Sequence, residues 1–434
     1  MTTQVKRRQI IFGSLILLAA LSYHVQGQIQ INSPYTRFGP GNLVENGMNP
    51  RINAMGGLYY GLQANNLINP ANPASYAAFD SVSFIFDGGV VGIMSELKTT
   101  QLSDRGDYIS LSHLMFGFPV THWWKTSFGV LPFSHVGYDI YSLADADTVA
   151  GLPATEQVYQ GSGGYNQLYW GNGFRIGKKL SVGFNLKYIF GYINRSRGIS
   201  FPDSAEIKNT YVQGTIRPND FYGEFGIQYK ASLGKDLFMV VGGSFNPQAK
   251  IKSKASYMVT TYFGDINSVQ YTYDTIDYSL NEKGEWILPV RTGFGLSLGK
   301  TGKWLAGADF LWQNWEKYEY YGNSDSLANK WRITLGGEYI PDAASISSYF
   351  RRVSYRAGFH FGKAPLEFRG QHLTEIGIGF GLGFPIKKSK SMVNFSAMIG
   401  KVGTTQYGLI QENYLKFTLG VNVFENWFFK SKYY

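Results

Sequence analysis

The sequence predicts an all-β chain that closes on itself as a transmembrane antiparallel β-barrel of about 14 strands. Three observations predict it. Apolar residues recur with period two over runs of roughly ten or more residues, longer than ordinary globular strands. The opposite face of the same runs carries glycine, polar and charged side chains. Connections alternate between a short and a long class, as hairpins do when every second turn lies on one side of a membrane. A soluble sandwich would bury one face over shorter strands and keep open edges, whereas a sheet in lipid must close.

Residues 1–27 read as a cleaved export signal ahead of the wall, with an uncleaved anchor as the competing reading that polar Tyr23-His24 disfavours. "MTTQVKRRQ" is basic, "IIFGSLILLAALS" is apolar but too short to span a bilayer, and "VQG" suits cleavage before Gln28. Zero cysteines in an exported chain exclude a disulfide scaffold. With 52 Gly, 31 Tyr and 31 Phe the composition favours sheet over helix. The net charge of +10 falls to about +7 once Lys6, Arg7 and Arg8 leave. The remaining cations are scattered through turns, so no nucleic-acid partner is implied.

Alternation and turn chemistry place strands at 82–94, 107–120, 123–141, 164–177, 179–199, 210–231, 236–248, 286–299, 303–320, 329–341, 352–363, 371–385, 391–402 and 413–424. In "LSVGFNLKYIFG", Leu180, Val182, Phe184 and Leu186 oppose Ser181, Gly183, Asn185 and Lys187. The inferred lumen face includes Asp87, Lys187, Glu224, Asp309, Arg332, Glu338, Arg356 and Glu375. Connections after even-numbered strands are mostly short ("GKK", "LGKD", "GKTGK"), which puts both termini in the periplasm of a Gram-negative envelope. The connections at 142–163 and 249–285 stand out on the other side, and the Tyr-rich second one is expected to rise as a hairpin. The segment 341–351 breaks the rule as a longer periplasmic turn. The chain finishes in Tyr433-Tyr434, either an assembly signal on the last strand or an interfacial aromatic anchor.

Little in the sequence points to catalysis, a metal or a cofactor. The histidines, His24, His113, His122, His135, His360 and His372, form no ligand pair, and no serine sits in a nucleophile elbow, so His113 beside Ser112 reads as a wall histidine. "DADT" at 145–148 is either a calcium ligand set or a solvated loop. The glycines of "GIGFGLG" at 377–383 recur every second residue and do not fit a nucleotide loop. They either clear lumen volume for something inside or relieve a curved sheet. Pro132, inside the third strand, removes a ladder donor and marks either a lateral opening or a bulge.

The stretch "NAMGGLYYGLQANNLINPANPASYAAFDSVSF", residues 53–84, resembles the amino-terminal region of FadL-type outer-membrane transporters, where "AMGG" is followed by an "NPA" turn and the first strand. The resemblance implies that residues 28–80 fill the lumen as a plug, or hatch, ahead of a barrel at 81–434. The hatch would include Ala54, Met55, Gly56, Gly57, Asn69, Pro70, Ala71, Asn72 and Pro73, and a lateral gap would lie near Pro132. It implies uptake of hydrophobic, long-chain fatty acid-like molecules with sideways release into outer-membrane lipid. A lumen charged in both signs departs from that pattern and suits holding a plug. The same resemblance includes PorV-like barrels that act as scaffolds of envelope machines, in which case residues 249–285 would bind partner proteins.

Overall fold

The computed structural model describes residues 33–44, 49–146, 153–204, 206–264, 272–325, 327–387 and 389–426. The export signal, Tyr433-Tyr434 and both chain ends lie outside the described residues, as do two residues of the "DADT" stretch.

Fourteen antiparallel strands form the wall. They are β1 (Ser83–Lys98), β2 (Ser103–Pro119), β3 (Trp124–Ala144), β4 (Thr155–Ile176), β5 (Leu180–Ser200), β6 (Asn209–Pro218, resumed as Asp220–Ser232), β7 (Leu237–Asn246, resumed as Ala249–Tyr262) and β8 (Thr272–Leu288, resumed as Arg291–Lys300). The rest are β9 (Trp304–Gln313), β10 (Lys330–Tyr339), β11 (Ser354–Phe368), β12 (Gln371–Pro385), β13 (Met392–Gly403) and β14 (Gln411–Asn426). Each pairs with its sequence neighbour, and β14 closes the sheet on β1 from Ser83↔Asn426 to Lys98↔Gln411. Closure leaves no edge for lipid to meet, which is the condition for a sheet to cross a bilayer. The outward residues are apolar and exposed, among them Phe294, Leu296, Leu335, Ile378, Phe380 and Leu419. Their neighbours Ser297, Thr334, Ser396 and Thr418 are buried within.

The predicted strands are all present, and the largest departures lie on the long-connection side. Residues 155–163, expected in a loop, belong to β4 and pair with β3 and β5. The glycines of "YQGSGGY" look like turn residues, yet a Cβ at Gly161 would overlap the Tyr138 ring, so glycine here admits an aromatic neighbour. The expected hairpin at 249–285 forms as the outer halves of β7 and β8, paired from Ala249↔Leu288 to Tyr262↔Thr272. Prolines 218, 247 and 289 stand at the breaks in β6, β7 and β8, where three adjacent strands interrupt their ladders together. The expected ninth strand, 303–320, stops at Gln313, and the chain turns inward through a 3-10 turn, Trp315–Lys317. Burial of the Trp315 ring against Trp286 and Tyr318 accounts for that early end.

The inside is filled in two storeys. Residues 49–79 pack on the inner face near the short turns, with Ile52, Met55, Leu58, Tyr59, Tyr60 and Leu62 in one cluster and Tyr76 and Phe79 in another. Toward the long connections the wall fills its own lumen with Phe133, Val136, Tyr165, Ile193, Trp286 and Trp315.

Candidate functional site

The enclosed segment owes its shape to three Asn-Pro pairs. Asn49, Asn69 and Asn72 each turn a side-chain oxygen back to the backbone N–H two residues on, at Arg51 (2.9 Å), Ala71 (3.3 Å) and Ala74 (3.2 Å). Proline supplies a fixed φ and no donor to satisfy, while the asparagine ties the turn locally. The same amides then reach further: Asn69 Nδ2 donates to the Tyr59 carbonyl (2.7 Å) and Asn72 Nδ2 to that of Tyr60 (2.9 Å). Pro70, Ala71 and Pro73 lie buried between them.

The lumen glycines let this backbone touch the wall. A Cβ at Gly358 would overlap the Met55 carbonyl carbon, one at Gly242 the Tyr60 carbonyl, and one at Gly379 would sit 2.5 Å from the Asn53 carbonyl oxygen. Of the two explanations open for "GIGFGLG", the contacts favour space for an internal segment. Gly56 and Gly57, with φ of 73° and 92°, form the tight corner after helix α1, Pro50–Ala54.

Buried charge fastens the segment on several sides. On β1, Asp87 accepts from Asn49 Nδ2 (2.7 Å) and Asn422 Nδ2 (3.3 Å) and sits 2.9 Å from His113 Nε2. His113 in turn meets Ser112 Oγ at 2.6 Å, so it is spoken for within the wall. Asp309 on β9 accepts the backbone N–H groups of Tyr59 and of Tyr60, the latter at 2.8 Å. Glu338 on β10 binds Arg51 Nη2 (2.9 Å) and Arg356 Nε (2.6 Å). Lys187 pairs with Glu224 at 2.5 Å, and Asn185 bridges Glu224 (3.2 Å) to the Pro70 carbonyl (2.8 Å). Glu375 lies 3.5 Å from Arg332, 3.6 Å from Lys330 and 3.7 Å from His360, whose Nδ1 approaches the Gly56 carbonyl at 3.2 Å. Buried ions are tolerated only when paired and hydrogen-bonded; Arg51–Glu338 joins the segment to the wall directly, and the other pairs hold the wall groups that hydrogen-bond to it. Sequence reasoning missed Asn49 and Arg51; the third Asn-Pro pair, at 49–50, was the available signal.

Pro132 sits where two strands part. The β2–β3 ladder runs from Pro119↔Lys125 to Leu114↔Val130 and has no further register pair among the described residues. Pro132 keeps Asn166 of β4 as partner, with a bulge at Phe133. Beyond it the edge of β3 is taken by the chain's own beginning. A short strand, Asn42–Leu43, pairs with His135 and Ser134. Val44 N–H donates to the Phe133 carbonyl (2.8 Å) and Ser33 N–H to that of Gly137 (2.9 Å). A cavity of about 190 Å³ lies behind this seam, bordered by Asn42, Tyr108, His135, Arg332, Glu412 and Lys416. Among the described residues no cluster of His, Asp and Glu has the arrangement of a metal site.

Solved barrels share this architecture. The chain is 14% identical to the Pseudomonas putida toluene transporter TodX, with 89% of this chain and 99% of that one aligned at a TM-score of 0.57. The Ralstonia pickettii toluene transporter TbuX is 12% identical over 87% of this chain and 98% of its own, with a TM-score of 0.55. A Pseudomonas aeruginosa FadL homologue is 12% identical over 89% and 100%, with a TM-score of 0.54. At such identities the likeness is one of fold, a FadL-type outer-membrane barrel. No curated protein matches the sequence. The family model of BamG, by contrast, matches residues 7–434. The chain therefore belongs to the BamG family.

Proposed function

We propose that this barrel is a non-transporting scaffold or accessory subunit of an outer-membrane protein secretion or assembly machine. The observation that carries this is the outer half of the β7–β8 hairpin. From Tyr273 to Asn281 its second strand pairs only with its first among the described residues. Its side chains Tyr273, Ile276, Tyr278 and Leu280 are 60%, 61%, 64% and 71% exposed. An unpaired strand edge is a template for strand addition, and exposed aromatics suit protein contact. Membership of the BamG family accords with this role, as does an internal segment held to the wall by the buried carboxylates Asp87, Asp309 and Glu338. In the orientation proposed from the connections, the hairpin faces outward and the short turns face the periplasm. Isolation of the tagged chain from native membranes tests the role. A large stable complex that is lost in an Ile276→Lys, Tyr278→Lys variant supports it, and a monomer carrying only lipid overturns it.

A second function, movement of hydrophobic molecules with lateral release, is favoured by the parted β2–β3 ladder and the cavity behind it. There the residues around Ala54–Gly57 and Asn69–Pro73 act as a hatch, and the segment 33–44 covers the gap. Deleting residues 54–74 tests it through uptake of a hydrophobic compound. Unchanged uptake counts against a hatch.

A further inference from the structure

The mouth of the barrel at the short-turn end is a basin of about 1450 Å³. That exceeds the roughly 300–1,000 Å³ of small-ligand sites and is peptide-sized. Around it cationic side chains outnumber carboxylates nine to two. Of the two carboxylates, Glu338 is engaged by Arg51 and Arg356, and Glu425 has a partner of its own.

Lys178 and Lys179 reach it from the β4–β5 turn, Lys300 and Lys303 from the β8–β9 turn, Lys230 from the end of β6, and Arg352 from the turn before β11. Among the described residues no carboxylate lies within ion-pair distance of these six, and the Arg352 Nε is buried without a hydrogen-bond partner. Like charges gathered in a concavity with low-dielectric walls repel one another and focus a positive potential. Between them the lining offers Phe238, Met392 and Phe424.

We infer that this basin docks an acidic segment of a periplasmic protein, with apolar side chains interspersed among its carboxylates. The cations come from separate hairpins and converge across the mouth, where a peptide lies, whereas lipid headgroups meet the outer rim. This docking is independent of the outward hairpin and of whether the seam opens.

The test uses the full chain in phosphatidylcholine nanodiscs and a fluorescein-labelled Glu-Glu-Leu repeat peptide as probe. Saturable binding is expected, weakening as salt rises because the contacts are screened. Combined Lys178→Glu, Lys300→Glu and Lys303→Glu should weaken it by about tenfold or more, since three attractive contacts become repulsive. The same number of reversals on the hairpin, at Lys250, Lys252 and Lys254, should leave it unchanged. Gln substitutions at the three basin lysines serve if the Glu set fails to fold, which heat-shifted gel mobility reports. No binding, or equal loss from the hairpin reversals, overturns the proposal. So does displacement of the peptide by phosphatidylglycerol in the disc, which would make the occupant a lipid headgroup.

Discussion

Arg51 of the enclosed segment donates to Glu338 of β10 at 2.9 Å, and this pair joins two parts of the chain 287 positions apart. Glu338 also holds Arg356 of the next strand at 2.6 Å, and Arg356 Nη1 donates to Asn394 at 2.7 Å. One carboxylate thus balances a guanidinium from the wall and one from the segment it surrounds.

Glu338→Ala leaves both guanidinium groups buried without their carboxylate. The expected loss is about 3–5 kcal/mol, the usual cost of breaking a buried pair from one side. Urea unfolding in lipid vesicles measures it, and Glu338→Gln, which keeps an acceptor, should lose less.

Asp309→Ala removes the acceptor for two backbone N–H groups, those of Tyr59 and Tyr60. Each orphaned buried donor costs about 1–3 kcal/mol. Hydrogen exchange should quicken at residues 59–61 ahead of the wall strands.

Gly358→Val should loosen the segment from the wall, because its Cβ would overlap Met55. Overpacking of this kind costs about 1–3 kcal/mol or more. Gly223→Ala is the comparison: its nearest neighbour lies at 3.8 Å, and its unfolding midpoint should stay close to that of the parent.

Asn42→Cys with His135→Cys should form a disulfide, since these are register partners and the chain has no other cysteine. Facing residues of an antiparallel pair lie within the reach of a disulfide. A redox-dependent gel shift reads it. Asn42→Cys with Leu143→Cys, eight positions further along β3, should give none.

The wall was legible because the bilayer imposes one rule on every strand: lipid outside demands an apolar face at every second residue. That rule located all fourteen strands and the inner placement of Asp87, Glu224, Asp309 and Glu338. It failed for residues 155–163, where glycines that make room for Tyr138 imitate a turn, and for Trp315, whose inward burial ends β9 early. The "NPA" stretch was legible as stiff and self-satisfied, since an Asn-Pro turn is a local device. The bond from its companion on the wall, Asn185, to the Pro70 carbonyl was not, because nothing in a strand's own pattern says which backbone carbonyl it will meet across a lumen.

By itself the sequence determined the closed antiparallel wall, its strand count, and the proline that interrupts the donor ladder inside β3. These follow from side-chain periodicity and from a missing backbone donor, both local properties. Tertiary structure alone decided which charges pair, that Asn42–Leu43 takes up the edge β2 leaves on β3, and that lysines from separate turns converge on one mouth. Those outcomes depend on closure, which brings residues hundreds of positions apart to within a few ångströms.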